Sequence, residues 1–244
     1  MITSAANQRL RLVRRLQGRR QRDRLGLFVC EGEDLVAAAL DAGAAPVDVL
    51  VDAERPVLVE RLPTAERVAP ALLAEVSTLA HPPRVLAVFR RADLPALDPG
   101  AAPPVGLALW RVADPGNVGT LVRAADALGP AFVALSPGCA DPTAPKALRA
   151  SAGAIFRVPI ARFDEPHERR VALVPAGGHP LADIDLRGPV TLVLGAEREG
   201  LPDEVVSGCG EAATIPVAEG AESVNVAIAG AIALYEWRCQ NRLR

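Results

Sequence analysis

The chain has 244 residues and a formal net charge of −2; half of it is apolar and 23% is charged, a balance that supports one large buried core or two modest ones. The longest apolar stretch, residues 224–235, is interrupted by Asn225 and too short for a bilayer, and no apolar run follows the N-terminal charges, so neither a membrane span nor a secretory leader is expected. Four cysteines (Cys30, Cys139, Cys209, Cys239) stand far apart with no C-x-x-C pair, which argues against a disulfide framework or a zinc site and for reduced thiols in the cytoplasm.

Residues 4–24 read as one basic helix with Leu10, Val13 and Leu16 on its apolar face. Its eight arginines (Arg9, Arg11, Arg14, Arg15, Arg19, Arg20, Arg22, Arg24) stand against Asp23 alone, a local charge of +7 on a remainder of −9. A basic segment on an acidic body suggests a polyanion partner, and a merely solvated helix is the competing reading. Aromatics are 3% of the chain, so a nucleic acid would be held through phosphates rather than by stacking. A strand at 27–30, a helix at 33–40, a strand at 47–51, a helix at 69–76 and a strand at 85–89 then make a small α/β module. The stretch 92–104, with Pro95, Pro99, Gly100, Pro103 and Pro104, has a linker composition and sets the boundary between domains 1–91 and 105–244.

Beyond it, strands are expected at 105–112, 132–135, 155–159, 171–174, 190–194 and 214–217, and helices at 118–128, 145–152 and 223–240. Several of these strands are unbroken apolar runs, as in a parallel sheet covered on both faces. Three segments carry chemistry. In D-P-G-N-V-G-T-L-V-R-A-A-D-A-L-G (114–129), a strand turns at Pro115-Gly116 into a helix with Asn117 as its expected cap and Arg123 off the buried stripe. In L-V-L-G-A-E-R-E-G-L (192–201), Gly195 and Gly200 have P-loop spacing, but Leu201-Pro202 stand where Lys-Ser/Thr is required, so a nucleotide phosphate cradle is disfavoured. In the third (215–236), a strand ends at Pro216 and Ser223 is the expected cap of a helix with two apolar stripes: Val224, Ile228, Ile232 and Tyr235, and Val226, Ala229, Ala233 and Trp237. Two apolar faces suggest burial against the sheet and against a second copy.

Together the three segments resemble, in order and spacing, the signatures of the SpoU/TrmH family of RNA 2'-O-ribose methyltransferases of the SPOUT superfamily, and 146–159 resembles the family's stretch between the first two. Residues 1–91 resemble more loosely the ribosomal-protein-like RNA-binding module of many members, through I-T-S-x-x-N and F-V-C-E-G. The resemblance implies a Rossmann-like α/β fold with a C-terminal trefoil knot, a homodimer joined through the last helix, and S-adenosyl-L-methionine as cofactor. It places cofactor contacts at Leu194, Gly195, Gly200, Ile215 and Val224, and catalytic positions at Asn117, Arg123, Glu197, Ser223 and Asn225. RNA contacts are then expected from Arg9, Arg11, Arg14, Arg15, Arg19, Arg20 and Arg22, with no metal. The implied reaction is 2'-O-methylation of RNA, foremost ribosomal RNA; a transfer-RNA methyltransferase of the same family and a non-catalytic RNA-binding or ribosome-assembly factor on the same fold are the alternatives. Arg123 is expected to fix a phosphate or stabilise an alkoxide rather than act as a base, because a guanidinium stays protonated.

Overall fold

The computed structural model describes residues 1–62, 64–165, 167, 169–221 and 223–241. Glu222 of the third segment and the last three residues of the expected second domain therefore lie outside the described residues. In chain order the elements are α1 (Gln8–Leu16), α2 (Arg19–Leu25), β1 (Leu27–Glu31), α3 (Glu33–Asp41), β2 (Asp48–Asp52), α4 (Pro56–Arg61), β3 (Glu66–Val68), α5 (Pro70–Val76) and β4 (Val85–Arg90), then β5 (Val105–Leu109), α6 (Pro115–Leu128), β6 (Ala131–Leu135), α7 (Pro145–Ser151), β7 (Ile160–Arg162), β8 (Arg170–Leu173), β9 (His179–Pro180), β10 (Val190–Leu194), α8 (Asp203–Ser207), β11 (Glu211–Thr214) and α9 (Val226–Gln240).

Among the described residues the first sheet has four strands in the order β1-β4-β2-β3; the second has seven, all parallel, in the order β7-β6-β5-β10-β8-β11-β9. Successive side chains on a strand point to opposite faces, and both sheets use both faces. On the large sheet Leu107, Leu109, Val133, Leu192 and Leu194 pack with the buried sides of α6 and α9. The alternate residues Ala108, Phe132, Ala134 and Val193 meet Leu97, Leu201 and Val205 on the other face. On the small sheet Val29, Leu50, Leu86 and Val88 pack with Leu10, Val13, Leu16 and Leu73. Its opposite face, with Phe28, Cys30, Ala87 and Phe89, belongs to the same core as the large sheet. Phe156 joins Phe28 and Phe89 there, with ring centroids 6.0 and 5.4 Å away. The two sheets are thus fused through a common apolar core.

Several expectations need correction. The single helix over 4–24 breaks at Gly18, which is extended and begins α2. The expected strand at 155–159 is instead a short 3-10 turn, Ala154–Phe156. Left-handed Ala152 and Gly153 end α7 and turn Ile155 and Phe156 into the inter-sheet core, and the strand forms later, as β7. The expected strand at 214–217 ends early, because Pro216 has no N–H for a ladder and Ile215 and Val217 face a cavity. α4, β3, α8 and the two-residue β9 have no counterpart among the expected elements. The proline-rich stretch 92–104 is tied to the large sheet: Ala96 bridges Ile160, whose N–H donates to the Pro95 carbonyl (3.1 Å).

Candidate active site

Ligands of open parallel sheets bind where the strands end, and here the loops after β5, β8, β10 and β11 converge. After β5 the chain enters α6 through Asp114, and Asp114, not Asn117, is the cap. Its Oδ1 accepts from the backbone of Gly116 (2.7 Å) and Asn117 (3.1 Å), with Pro115 at the first helical position, where its missing N–H costs nothing. Its other oxygen takes the Lys146 ammonium at 2.7 Å, and that hydrogen bond holds the Asp114 carboxyl below its ordinary range.

Relieved of capping, the Asn117 side chain is free to join the three segments. Its Nδ2 donates to Glu197 Oε1 (2.9 Å), and its Oδ1 accepts from Asn225 Nδ2 (3.2 Å). Asn225 Oδ1 in turn accepts from the N–H groups of Ala227 (2.8 Å) and Ile228 (3.4 Å), so Asn225 is the cap of α9 in place of Ser223. Because its oxygen is committed to the helix, its amide can only donate outward, which orients the whole chain Asn225→Asn117→Glu197.

Two cavities meet at this chain. The first, about 510 Å³, is lined by all five residues expected at the cofactor site, Leu194, Gly195, Gly200, Ile215 and Val224, and also by Ser223. Leu173, Val174 and Pro175 at the end of β8, which sequence reasoning missed, complete its wall. The P-A-G-G run at 175–178 that closes an apolar strand was the available signal. Gly195 must be glycine, since a Cβ there would collide with the backbone of Gly200 and Leu201. The second cavity, about 880 Å³, holds Arg111, Asp114, Asn117, Gly138, Glu199 and the residues it shares with the first, Ala196, Glu197, Arg198 and Asn225.

Arg123 is not brought into this cluster. It is exposed on α6, lines neither cavity, and has no hydrogen-bond or ion-pair partner among the described residues. The N-terminal arginines divide. Arg22 is withdrawn from the expected RNA face. It is buried, with Nε on Asp141 Oδ2 at 2.8 Å and Nη1 on the carbonyls of Leu16 (2.9 Å) and Gln17 (2.8 Å), so it closes the end of α1. Arg9 pairs with Asp48 and Glu66, Arg14 with Glu75, and Arg19 with Asp23 and the Cys139 carbonyl. Arg15 reaches only Gln21, and Arg11, Arg20 and Arg24 stand exposed without a partner among the described residues.

A seven-stranded parallel sheet with two joined cavities at its strand ends defines an open-sheet α/β ligand-binding protein. The chain belongs to the SpoU rRNA methylase family, whose model matches residues 104–235, while residues 7–87 match an MRM3-like substrate-binding domain. It is 31% identical to a 23S rRNA (uridine(2479)-2'-O)-methyltransferase of Streptomyces viridochromogenes, over 91% of this chain and 85% of that one. To the 23S rRNA (guanosine(2553)-2'-O)-methyltransferase RlmP of Bacillus subtilis it is 30% identical, over 97% and 98%. Its fold matches the AdoMet-bound rRNA methyltransferase from Sinorhizobium meliloti with a TM-score of 0.84 at 30% identity, covering 100% of this chain and 98% of that one.

Proposed function

We propose that this protein transfers a methyl group from S-adenosyl-L-methionine to the 2'-hydroxyl of a ribose in ribosomal RNA. The observation that carries the reading is the oriented chain Asn225→Asn117→Glu197 at the junction of the two cavities. The first cavity fits the cofactor in size and in chemistry, with an apolar wall of Leu173, Leu194, Ile215 and Val224 beside the polar Glu197, Ser223 and Asn225. Bound there, S-adenosyl-L-methionine supplies an electrophilic sulfonium methyl. The protein then has to hold the ribose oxygen in line with it and ease the loss of the hydroxyl proton as the new O–C bond forms and the C–S bond breaks. The groups assigned to orient that hydroxyl are Asn117 and Glu197, which line the second cavity, with Ser223 on the wall of the first. Isothermal calorimetry of the full chain with S-adenosyl-L-methionine, followed by mapping of ribose methylation on unmodified 23S rRNA transcript, tests this. Saturable heat and one new 2'-O-methyl mark are expected. Absence of both rejects the reading.

The finer features of the family belong to the same proposal: domains at 1–91 and 105–244 flanking the 92–104 stretch, a trefoil knot in the C-terminal part, and action in the cytoplasm. No described helix is long and apolar enough to cross a membrane. A homodimer through α9 is favoured because Trp237, Leu234 and Ala233 are buried in the core while Ile228, Ile232 and Tyr235 on the other side are exposed, Tyr235 by 60%. Sedimentation at micromolar concentration is expected to give a dimer for the wild type and a monomer for Ile232→Asp; a monomeric wild type removes this interface.

The RNA grip assigned to the basic N-terminal segment falls on its uncommitted arginines. Replacing Arg11, Arg20 and Arg24 by alanine is expected to flatten the slope of log K for RNA against log salt by about 0.7–0.9 per lost phosphate contact. An unchanged slope identifies a solvated helix. Arg22→Ala belongs to a different experiment, since that side chain is structural.

A further inference from the structure

One cation in the second cavity is held at a cost to its own backbone. Arg111, two residues past β5, has φ = +53°, in the left-handed region that residues with a Cβ rarely adopt. Its N–H donates to Ser136 Oγ (2.9 Å), which pins that conformation. Gly138, at φ = +94°, lies under the side chain: a Cβ there would come within 3.4 Å of Arg111 Cγ and Nε. The arginine therefore runs along a glycine backbone on the wall of the cavity that also holds Asn117 and Glu197.

Among the described residues nothing uses that guanidinium, which is exposed on the cavity wall. It has no hydrogen-bond or ion-pair partner among the described residues, although Asp114, Glu197 and Glu199 line the same cavity. Asp114 is taken by Lys146 and Glu197 by Asn117. Glycine at position 111 would relieve the backbone, so this arginine carries a conformational cost that a ligand contact of its side chain can offset. An arginine fork matches a phosphate, binding it bidentately. In RNA the carbon next to the one bearing the 2'-hydroxyl carries the 3'-phosphodiester, so a ribose presented to Asn117 and Glu197 brings a phosphate into the same cavity.

We propose that Arg111 is a positioning residue that grips the phosphodiester next to the ribose being methylated. This rests on the function proposed above and adds a phosphate contact inside the second cavity, separate from the N-terminal arginines. Three full-length variants test it on unmodified 23S rRNA transcript: Arg111→Gly, Arg111→Ala and Arg111→Lys. Arg111→Gly is expected to melt at or above the wild-type temperature and to bind S-adenosyl-L-methionine equally well in calorimetry. Its KM for RNA is expected to rise about tenfold and its log K against log salt slope to flatten by about 0.7–0.9, the loss of one phosphate contact. Arg111→Lys keeps the charge and is expected to restore the slope and part of the KM. Arg111→Ala should follow Arg111→Gly in RNA binding while melting lower, because alanine keeps the strain. A folded, cofactor-binding Arg111→Gly with wild-type KM and slope overturns the proposal, and so does a change in which nucleotide is methylated, which would mark a base contact. A wild type that methylates while Arg111→Gly is indistinguishable sinks the Arg111 assignment alone; a wild type that neither binds nor methylates the transcript sinks the assigned function with it.

Discussion

Asp141→Ala is expected to lower the free energy of unfolding by about 3–5 kcal/mol, the scale for stripping the counter-ion from a buried charge. Asp141 and Arg22 are 5% and 3% exposed at their side chains, and they join helix α2 to the loop after β6 across the inter-sheet core. Arg91 adds a second ion pair to the same oxygen at 2.6 Å, and Thr143 donates both N–H and O–H to the other. Removing the carboxylate leaves Arg22 buried with only carbonyl partners. Asp141→Asn keeps the shape and an acceptor and should lose less, and Arg91→Ala, cutting a more exposed partner, less still. Burial pushes the Asp141 carboxyl up, but the Thr143 hydroxyl and the Arg91 and Arg22 guanidinium groups outweigh it and hold it below the ordinary carboxylate range. With the folded value depressed, the clamp's contribution is fully present above the unfolded value of about 3.9 and fades as pH falls through the lower folded one. Urea unfolding of the wild type and Asp141→Ala at a series of pH values should therefore give a constant gap near neutrality that narrows below about pH 3.9. A gap under about 1 kcal/mol at pH 7 would show that the clamp is not needed.

The same cluster explains which parts of the molecule could be read in advance. The three sequence segments converge on the two joined cavities because each lies at a strand end, and a parallel sheet collects such ends on one edge. Arg22 could not be read in this way: in the sequence it is one of eight similar arginines, and only the fold brings Asp141, 119 residues away, against it. The caps went wrong for a related reason. Asn117 and Ser223 are good local caps, but Asp114 and Asn225 are equally eligible neighbours, and in the fold these two cap the helices while the Asn117 side chain bonds Glu197 and Asn225. Ile155 and Phe156 read as a strand because a short apolar run does not distinguish a strand from a buried turn; left-handed Ala152 and Gly153 were the missing signal. Arg111 was likewise invisible, since nothing in the letters L-W-R-V-A announces a positive φ.

Arg123→Ala is expected to slow methyl transfer by at least about 100-fold while leaving fold and cofactor affinity intact, the scale of losing one preorganised charge at a transition state. The structural half of this follows from exposure: Arg123 makes no internal hydrogen bond or ion pair among the described residues and lines no part of the first cavity. The catalytic half is what the family resemblance implies for this position, and the side chain has no structural partner among the described residues. Its place outside both cavities of its own chain has a further consequence if the dimer forms through α9, which packs on α6. Mixed dimers of Arg123→Ala and Asn117→Ala chains are then expected to recover activity that neither variant has alone, with one chain supplying the arginine and the other the intact Asn117–Glu197 pair. No recovery in mixed dimers confirmed by sedimentation would confine Arg123 to its own chain. Arg123→Lys separates the remaining roles. A guanidinium remains protonated at any working pH, so if it holds phosphate or a developing alkoxide by its planar fork, lysine should leave activity low but measurable, with an unchanged pH profile. If the position instead has to take up the 2'-hydroxyl proton, lysine, whose pKa shifts more readily, should restore turnover with a profile displaced along pH. Wild-type turnover in Arg123→Ala would remove the residue from the site altogether, leaving the work to Asn117, Glu197 and Asn225, the three that the fold does bring into contact.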